Sequence, residues 1–254
     1  MNKIGAIVKR GLIVFLTAAS CLASIISAQQ PGAMPGSIEQ EFFDAIRQGK
    51  SEKVGELLQQ RPILLKASAK SGATPVLYAV YAKHPEIAES FIAKGVEPSI
   101  FESAITGRTQ RVKALLKKNP ELIRAYSADG WTALHLNWGH LDIVKLLLDR
   151  GADINALSHN HFTATPLQGA VASERFELGK LLIARGANVN CRGEEGGSPL
   201  HEAAGSGQLD FAEFLLAHDA NVNALDDNGK TPLAIAIEYK QDAMAEVLRK
   251  HGGK

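Results

Sequence analysis

His159 and His161 flank Asn160, and two imidazoles one residue apart can supply two corners of a transition-metal site. The neighbouring sequence offers no third ligand. Asp226-Asp227-Asn228 brings oxygen ligands together but lacks the remainder of a calcium loop, and reads as a solvated hairpin tip. Cys21 and Cys191 are the only cysteines, too few for a disulfide framework. No nucleotide-binding loop, nucleophile elbow or paired zinc motif occurs. The residues able to do chemistry therefore do not converge on a catalytic set, and no cofactor or metal is expected. An enzymatic or metal-dependent module built on the loop from Ala156 to Ala164, around His159 and His161, is the alternative reading.

Charge excludes another class. Lys and Arg number 28 against 27 for Asp and Glu, which leaves no basic footprint for nucleic acid. Lys3, Lys9 and Arg10 precede an uncharged apolar run from Gly11 to Ile26 that ends in Ser27-Ala28 before Gln29-Gln30-Pro31-Gly32. A basic head, a short apolar run and small residues form a cleavable secretory signal over 1–28, with 29–36 as a linker. The run is rich in Ala, Ser and Thr and short for crossing roughly 30 Å of hydrocarbon, so no membrane span is expected after cleavage. Ala18-Ala19-Ser20-Cys21 offers a rival, a loose lipobox that would anchor the chain through Cys21. Cys191 then remains alone, as a small buried hydrophobe.

The elements that must position everything else repeat. Thr132, Thr165, Ser198 and Thr231 follow one another at 33-residue steps. The register extends back through Ser99, Thr74 and Glu41, with a 25-residue step between Thr74 and Ser99 because the loop after Gly95 lacks a projecting hairpin. Val54, Ile87, Val112, Ile143, Leu178, Phe211 and Met244 form an apolar column. Leu58, Phe91, Leu116, Leu147, Leu182, Leu215 and Leu248 form its neighbour one turn on, which marks one buried helical face. Thr-Pro caps and opens a first helix in each unit. Gly151 and Gly186 stop the second helix in a left-handed turn, where Asp219 stands instead of Gly. Pro62 and Pro120 end two other second helices. Leu136-Asn137-Trp138-Gly139 is two residues short, so that first helix is clipped, and the following loop is two residues longer.

Gly139-His140-Leu141-Asp142-Ile143-Val144-Lys145-Leu146-Leu147-Leu148 and Ser198-Pro199-Leu200-His201-Glu202-Ala203-Ala204 carry a resemblance: the chain looks like an ankyrin-repeat protein of exported, bacterial type over residues 37–254. The resemblance implies an all-α solenoid of about seven helix-turn-helix units with projecting hairpin loops, starting near 41, 74, 99, 132, 165, 198 and 231. It implies that His135 and His201 link adjacent units and that His140 is structural. It also implies a non-catalytic scaffold that binds a protein through its hairpin tips and the inner face of its first helices.

By register those positions hold Trp131, Trp138, His161, Phe162, Ser173, Glu194, Glu195, Ser206, Asp227, Asn228, Lys230, Glu238 and Tyr239. Both tryptophans lie near this face, and aromatic residues dominate binding hot spots. Trp138 has a second reading, as a plug for the clipped helix. The expected protein is an exported monomer, periplasmic or secreted, whose partner is a protein of the cell envelope; a secreted effector acting on host proteins shares the fold.

Overall fold

The computed structural model describes residues 36–137, 139–161, 163–193 and 196–254. The expected signal segment 1–28, including Cys21, lies outside these residues, as does most of the expected linker 29–36. The described chain divides into two compact units, one ending at Ala152 and one running from Asp153 to Lys254. Helix pairs build both. Among the described residues there is no strand, only a single antiparallel bridge between Tyr126 and Thr132.

The first unit pairs α1 (Ile38–Arg47) with α2 (Ser51–Gln60), α3 (Pro75–Tyr81) with α4 (Pro85–Ala93), and α5 (Ile100–Ile105) with α6 (Thr109–Lys118). Its last pair is a 3-10 turn, His135–Asn137, and α7 (Leu141–Asp149). A 3-10 turn thus stands where a full first helix would be, because the two missing residues remove roughly half a turn of helical backbone. Asn137 stabilises the shortened element: its amide donates to the Leu134 carbonyl and accepts from Gly139 N–H. The first helix among the described residues begins earlier than the repeat register suggests. Ser37, four residues before Glu41, accepts from Gln40 N–H and caps α1.

Proline ends α2 and α6 for a local reason. Arg61 and Asn119, the residues before Pro62 and Pro120, take extended φ of −139° and −142° because proline disfavours helical backbone before it. The chain then resumes as 3-10 turns, Pro62–Lys66 and Pro120–Arg124. These turns had no signal in the apolar periodicity.

The second unit pairs α8 (Pro166–Ala172) with α9 (Phe176–Ala184), α10 (Pro199–Ser206) with α11 (Leu209–Leu216), and α12 (Pro232–Glu238) with α13 (Asp242–Lys250). Thr165 and Thr231 cap α8 and α12 through their hydroxyls, with proline in the first helical turn. Leu182, Leu215 and Leu248 are each fully buried, so the second-helix column faces the core. Close approach needs small residues: a Cβ on Gly179 would lie 2.1 Å from the Phe211 ring.

Asp219 has φ +65°, in register with Gly186 at +91° and Gly252 at +87°. A side chain in this left-handed region costs on the order of 1 kcal/mol. Asp219→Gly is therefore expected to stabilise the protein by up to about 1 kcal/mol in a urea titration, and a lowered midpoint would contradict the placement.

Candidate functional site

One backbone bond closes five loops at the same place in the repeat. Ala69, Ser127, Ser158, Gly193 and Asp226 donate N–H to the carbonyls of Ala73, Trp131, Ala164, Gly197 and Lys230, each just before a cap residue. The loop closed by Ser158 and Ala164 encloses two more residues than the others, and it is the one that carries His159 and His161. In each unit, these loop tips and the ends of the first helices are the candidate binding positions.

Polar residues around the tips are mostly committed to holding repeats together. His201 Nδ1 accepts from Ser198 N–H at 3.1 Å, while Nε2 donates to the Lys230 carbonyl of the next repeat at 3.0 Å. Gln168 does the same with an amide: Oε1 accepts from Thr165 N–H and Nε2 donates to the Gly197 carbonyl. In the first unit, the buried Glu102 accepts from Ser99 N–H and from the Thr74 hydroxyl. His135 Nδ1 accepts from Thr132 N–H at 3.4 Å. His140 packs over Gly107, where a Cβ would lie 2.6 Å from its ring.

Burial lowers the proton affinity of His201, with the Lys230 carbonyl opposing it more weakly. The folded state thus keeps this ring neutral where the unfolded chain, with a pKa near 6.5, binds a proton. Stability contributed this way is present above about pH 6.5 and falls as pH drops below it. His201→Gln should keep both bonds, as Gln168 does, and stay within about 1 kcal/mol of the parent at pH 8. Its urea midpoint should fall less than the parent's between pH 7 and pH 5; equal falls would contradict the role of His201.

Asparagines form a second ladder that the sequence did not reveal. Asn155, Asn190 and Asn223 accept, through side-chain oxygens, the N–H groups of Asn188, Asn221 and Lys254 at 2.8 to 2.9 Å. Asn190 and Asn223 also donate to the carbonyls of Asp219 and Gly252. The Asn-rich composition was visible, but bonds reaching about one repeat along the chain leave no local pattern.

The 25-residue step has a structural consequence in the first unit. The loop before Thr74 meets the loop before Thr132 directly, and a Cβ on Gly72 would sit 2.8 Å from the Ala128 carbonyl oxygen. The Tyr81 hydroxyl donates to buried Asp129 at 2.9 Å, and Ser127 donates to the same carboxylate. Burial first, and then Asp129, push the Tyr81 hydroxyl well above its ordinary pKa. Tyr81 and Asp129 thus tie the end of α3 to the loop before Thr132.

Of the residues assigned by register, Trp138, Phe162, Glu194 and Glu195 lie outside the described residues. Trp131 is half-buried, its ring 5.4 Å from that of His135. His161 is exposed. Ser173 forms the C-cap of α8, and Tyr239 that of α12; both are half-buried. The Ser206 hydroxyl is occupied, donating to Glu202 O and accepting from Gln208. Asp227 pairs with Arg192 at 2.8 Å and Lys230 with Glu238 at 2.5 Å, both in solvent, where such pairs contribute about 0–1 kcal/mol. Asn228 and Lys230 both donate N–H to Asp226, so Asp226 folds that tip.

The register missed two exposed apolar side chains on the loops, Leu157 at 43% exposure and Leu225 at 52%. Leu225 borders a shallow open groove with Asn190, Arg192, Ser198, Asn221 and Ala224. Their signal was an apolar residue at an otherwise polar loop position. Buried Cys191 lies 3.1 Å from the Thr165 hydroxyl, and burial raises its thiol pKa. Among the described residues no three His, Cys, Asp or Glu side chains converge as a metal site needs, and no helix is long and apolar enough to cross a membrane.

Comparison with known families agrees with this architecture. Residues 163–254 match the ankyrin-repeat family as three copies, and residues 129–159 match it as one. The chain carries ankyrin repeats, and its fold is of the all-α ankyrin-repeat class. It is similar to ankyrin repeat and SAM domain-containing protein 6 of Rattus norvegicus, 28% identical over 152 residues, 59% of this chain and 14% of that protein. A Caenorhabditis elegans homologue of transient receptor potential cation channel subfamily A member 1 is 39% identical over 95 residues, 37% of this chain and 8% of the channel. The probable 26S proteasome regulatory subunit p28 of Saccharomyces cerevisiae is 30% identical over 159 residues, 61% of this chain and 55% of that subunit. The chain thus spans less than two thirds of each relative, and the likeness is one of repeats.

Proposed function

We propose that this protein is a non-catalytic scaffold of the cell envelope that binds a partner protein through its loop tips and the exposed ends of its first helices. Ankyrin repeats generally mediate contacts between proteins, and that general role is the starting point. The observation that carries the reading is the division of labour among polar side chains. Gln168, His201, Asn190 and Asn223 face neighbouring repeats and hold the stack, while His161, Asp227, Asn228 and Glu238 stand exposed at the tips and helix ends. Such a surface recognises shape and charge, and needs no convergent acid, base and nucleophile.

The test of binding is affinity isolation of the partner from the native envelope on the full-length chain, followed by measurement of its affinity for variants of the tips. Export is part of the proposal and rests on the 1–28 pattern. Intact-mass measurement should find a chain beginning at Gln29; a mass retaining Met1, or a lipidated Cys21, would overturn that processing site.

A further inference from the structure

Glu202 sits on α10, four residues after its cap Ser198, and its carboxyl has no polar partner among the described residues. Only its backbone is engaged, the N–H donating to Ser198 O and the carbonyl accepting from the Ser206 hydroxyl. Exposed carboxylates of the same unit behave otherwise, Asp227 pairing with Arg192 and Glu238 with Lys230. A desolvated carboxylate without a partner is costly, and proteins ordinarily supply one.

The surroundings of Glu202 are asymmetric. α10 packs against α8 on one side and α12 on the other. The residues in register with Glu202 on those helices are Gly169 and Ile235. Ile235 is buried and apolar, whereas a Cβ on Gly169 would meet no atom within 4 Å. One side of Glu202 therefore has an apolar neighbour in register, and the other has open space where a side chain would stand. Glu202 as a residue is half-buried, so the helix face that carries it is not wholly enclosed.

We propose that Glu202 and the gap at Gly169 form a seat for a cationic side chain, Lys or Arg, presented by the partner protein. This rests on the scaffold reading and names the partner's chemistry. The carboxylate supplies the charge, and the space over Gly169 takes the aliphatic stem, an arrangement that suits a long basic residue with an apolar shaft. Burial pushes the Glu202 carboxyl up to about 7, with no neighbouring cation or hydrogen bond drawing it back. A seated ammonium or guanidinium would supply that missing interaction.

Selection of a random peptide library on the full chain tests this, with Glu202→Gln and Glu202→Lys in parallel and circular dichroism confirming that each variant is folded. The wild-type chain should enrich peptides with Lys or Arg at one fixed position. Those peptides should bind Glu202→Gln about tenfold or more weakly, and Glu202→Lys should lose the basic preference. Enriched peptides that bind Glu202→Gln as well as wild type would overturn the seat and leave the scaffold reading standing. Failure of the wild-type chain to enrich any peptide would overturn both.

Discussion

Replacing Leu147 by Ala is expected to cost about 2–5 kcal/mol, enough to unfold much of a marginally stable chain. Leu147 is fully buried on α7, beside Ile143 and Val144, which are equally inaccessible. Truncation removes apolar area and leaves a cavity that α6 and the 3-10 turn packed against α7 cannot fill without moving their own packed faces. The carbonyl of Leu147 also accepts from Ala152 N–H as the helix stops, so the site lies where helix and loop are joined. Leu157→Ala is the matched control: that side chain is exposed, and its loss should change stability by no more than about 0.5 kcal/mol. Urea titration of both variants checks the pair. Equal, small effects would contradict the assignment of Leu147 to the buried column.

Leu147 was legible because a buried second helix demands apolar residues at i and i+4, and that demand recurs with every repeat. The caps at Thr74, Ser99, Thr165 and Thr231 were legible for a similar reason, since a helix start needs an acceptor for its first amides. Apart from the His201 link that the resemblance implied, the bonds between repeats were not. Asn190 to Asp219, Gln208 to Val171 and Tyr81 to Asp129 join residues 29, 37 and 48 apart. No local periodicity encodes such a pairing. The early start of α1 escaped because Ser37 replaces the register position as the cap, and a cap needs only one side chain. At the candidate site, the register named loop positions but could not distinguish a residue that folds a tip, such as Asp226, from one that projects beyond it. It also passed over Glu202, because unmet polarity is a property of the packed structure.

Cutting Trp131 or Tyr239 to Ala should weaken partner binding by about 1–2 kcal/mol each, a factor of about 5–30 in affinity, if either ring anchors the partner. Each residue belongs to a different compact unit and adjoins a first helix or its loop. Each is half-buried, so one part of the ring is already held in place and little conformational freedom remains to be lost on binding. Trp131 leans on His135, which fixes its orientation. Lys113, exposed on α6, lies on a second helix, and Lys113→Ala should change affinity little.

The decisive measurement compares partner affinity across two sets of folded variants. The first set is Trp131→Ala and Tyr239→Ala; the second is His159→Ala combined with His161→Ala. A scaffold that binds by its tips and helix ends should lose affinity with the aromatic set and retain most of it with the histidine pair, which strips only one tip of several. Loss confined to the histidine pair, with the aromatic variants binding as wild type, would contradict the scaffold account and favour a function centred on the enlarged loop.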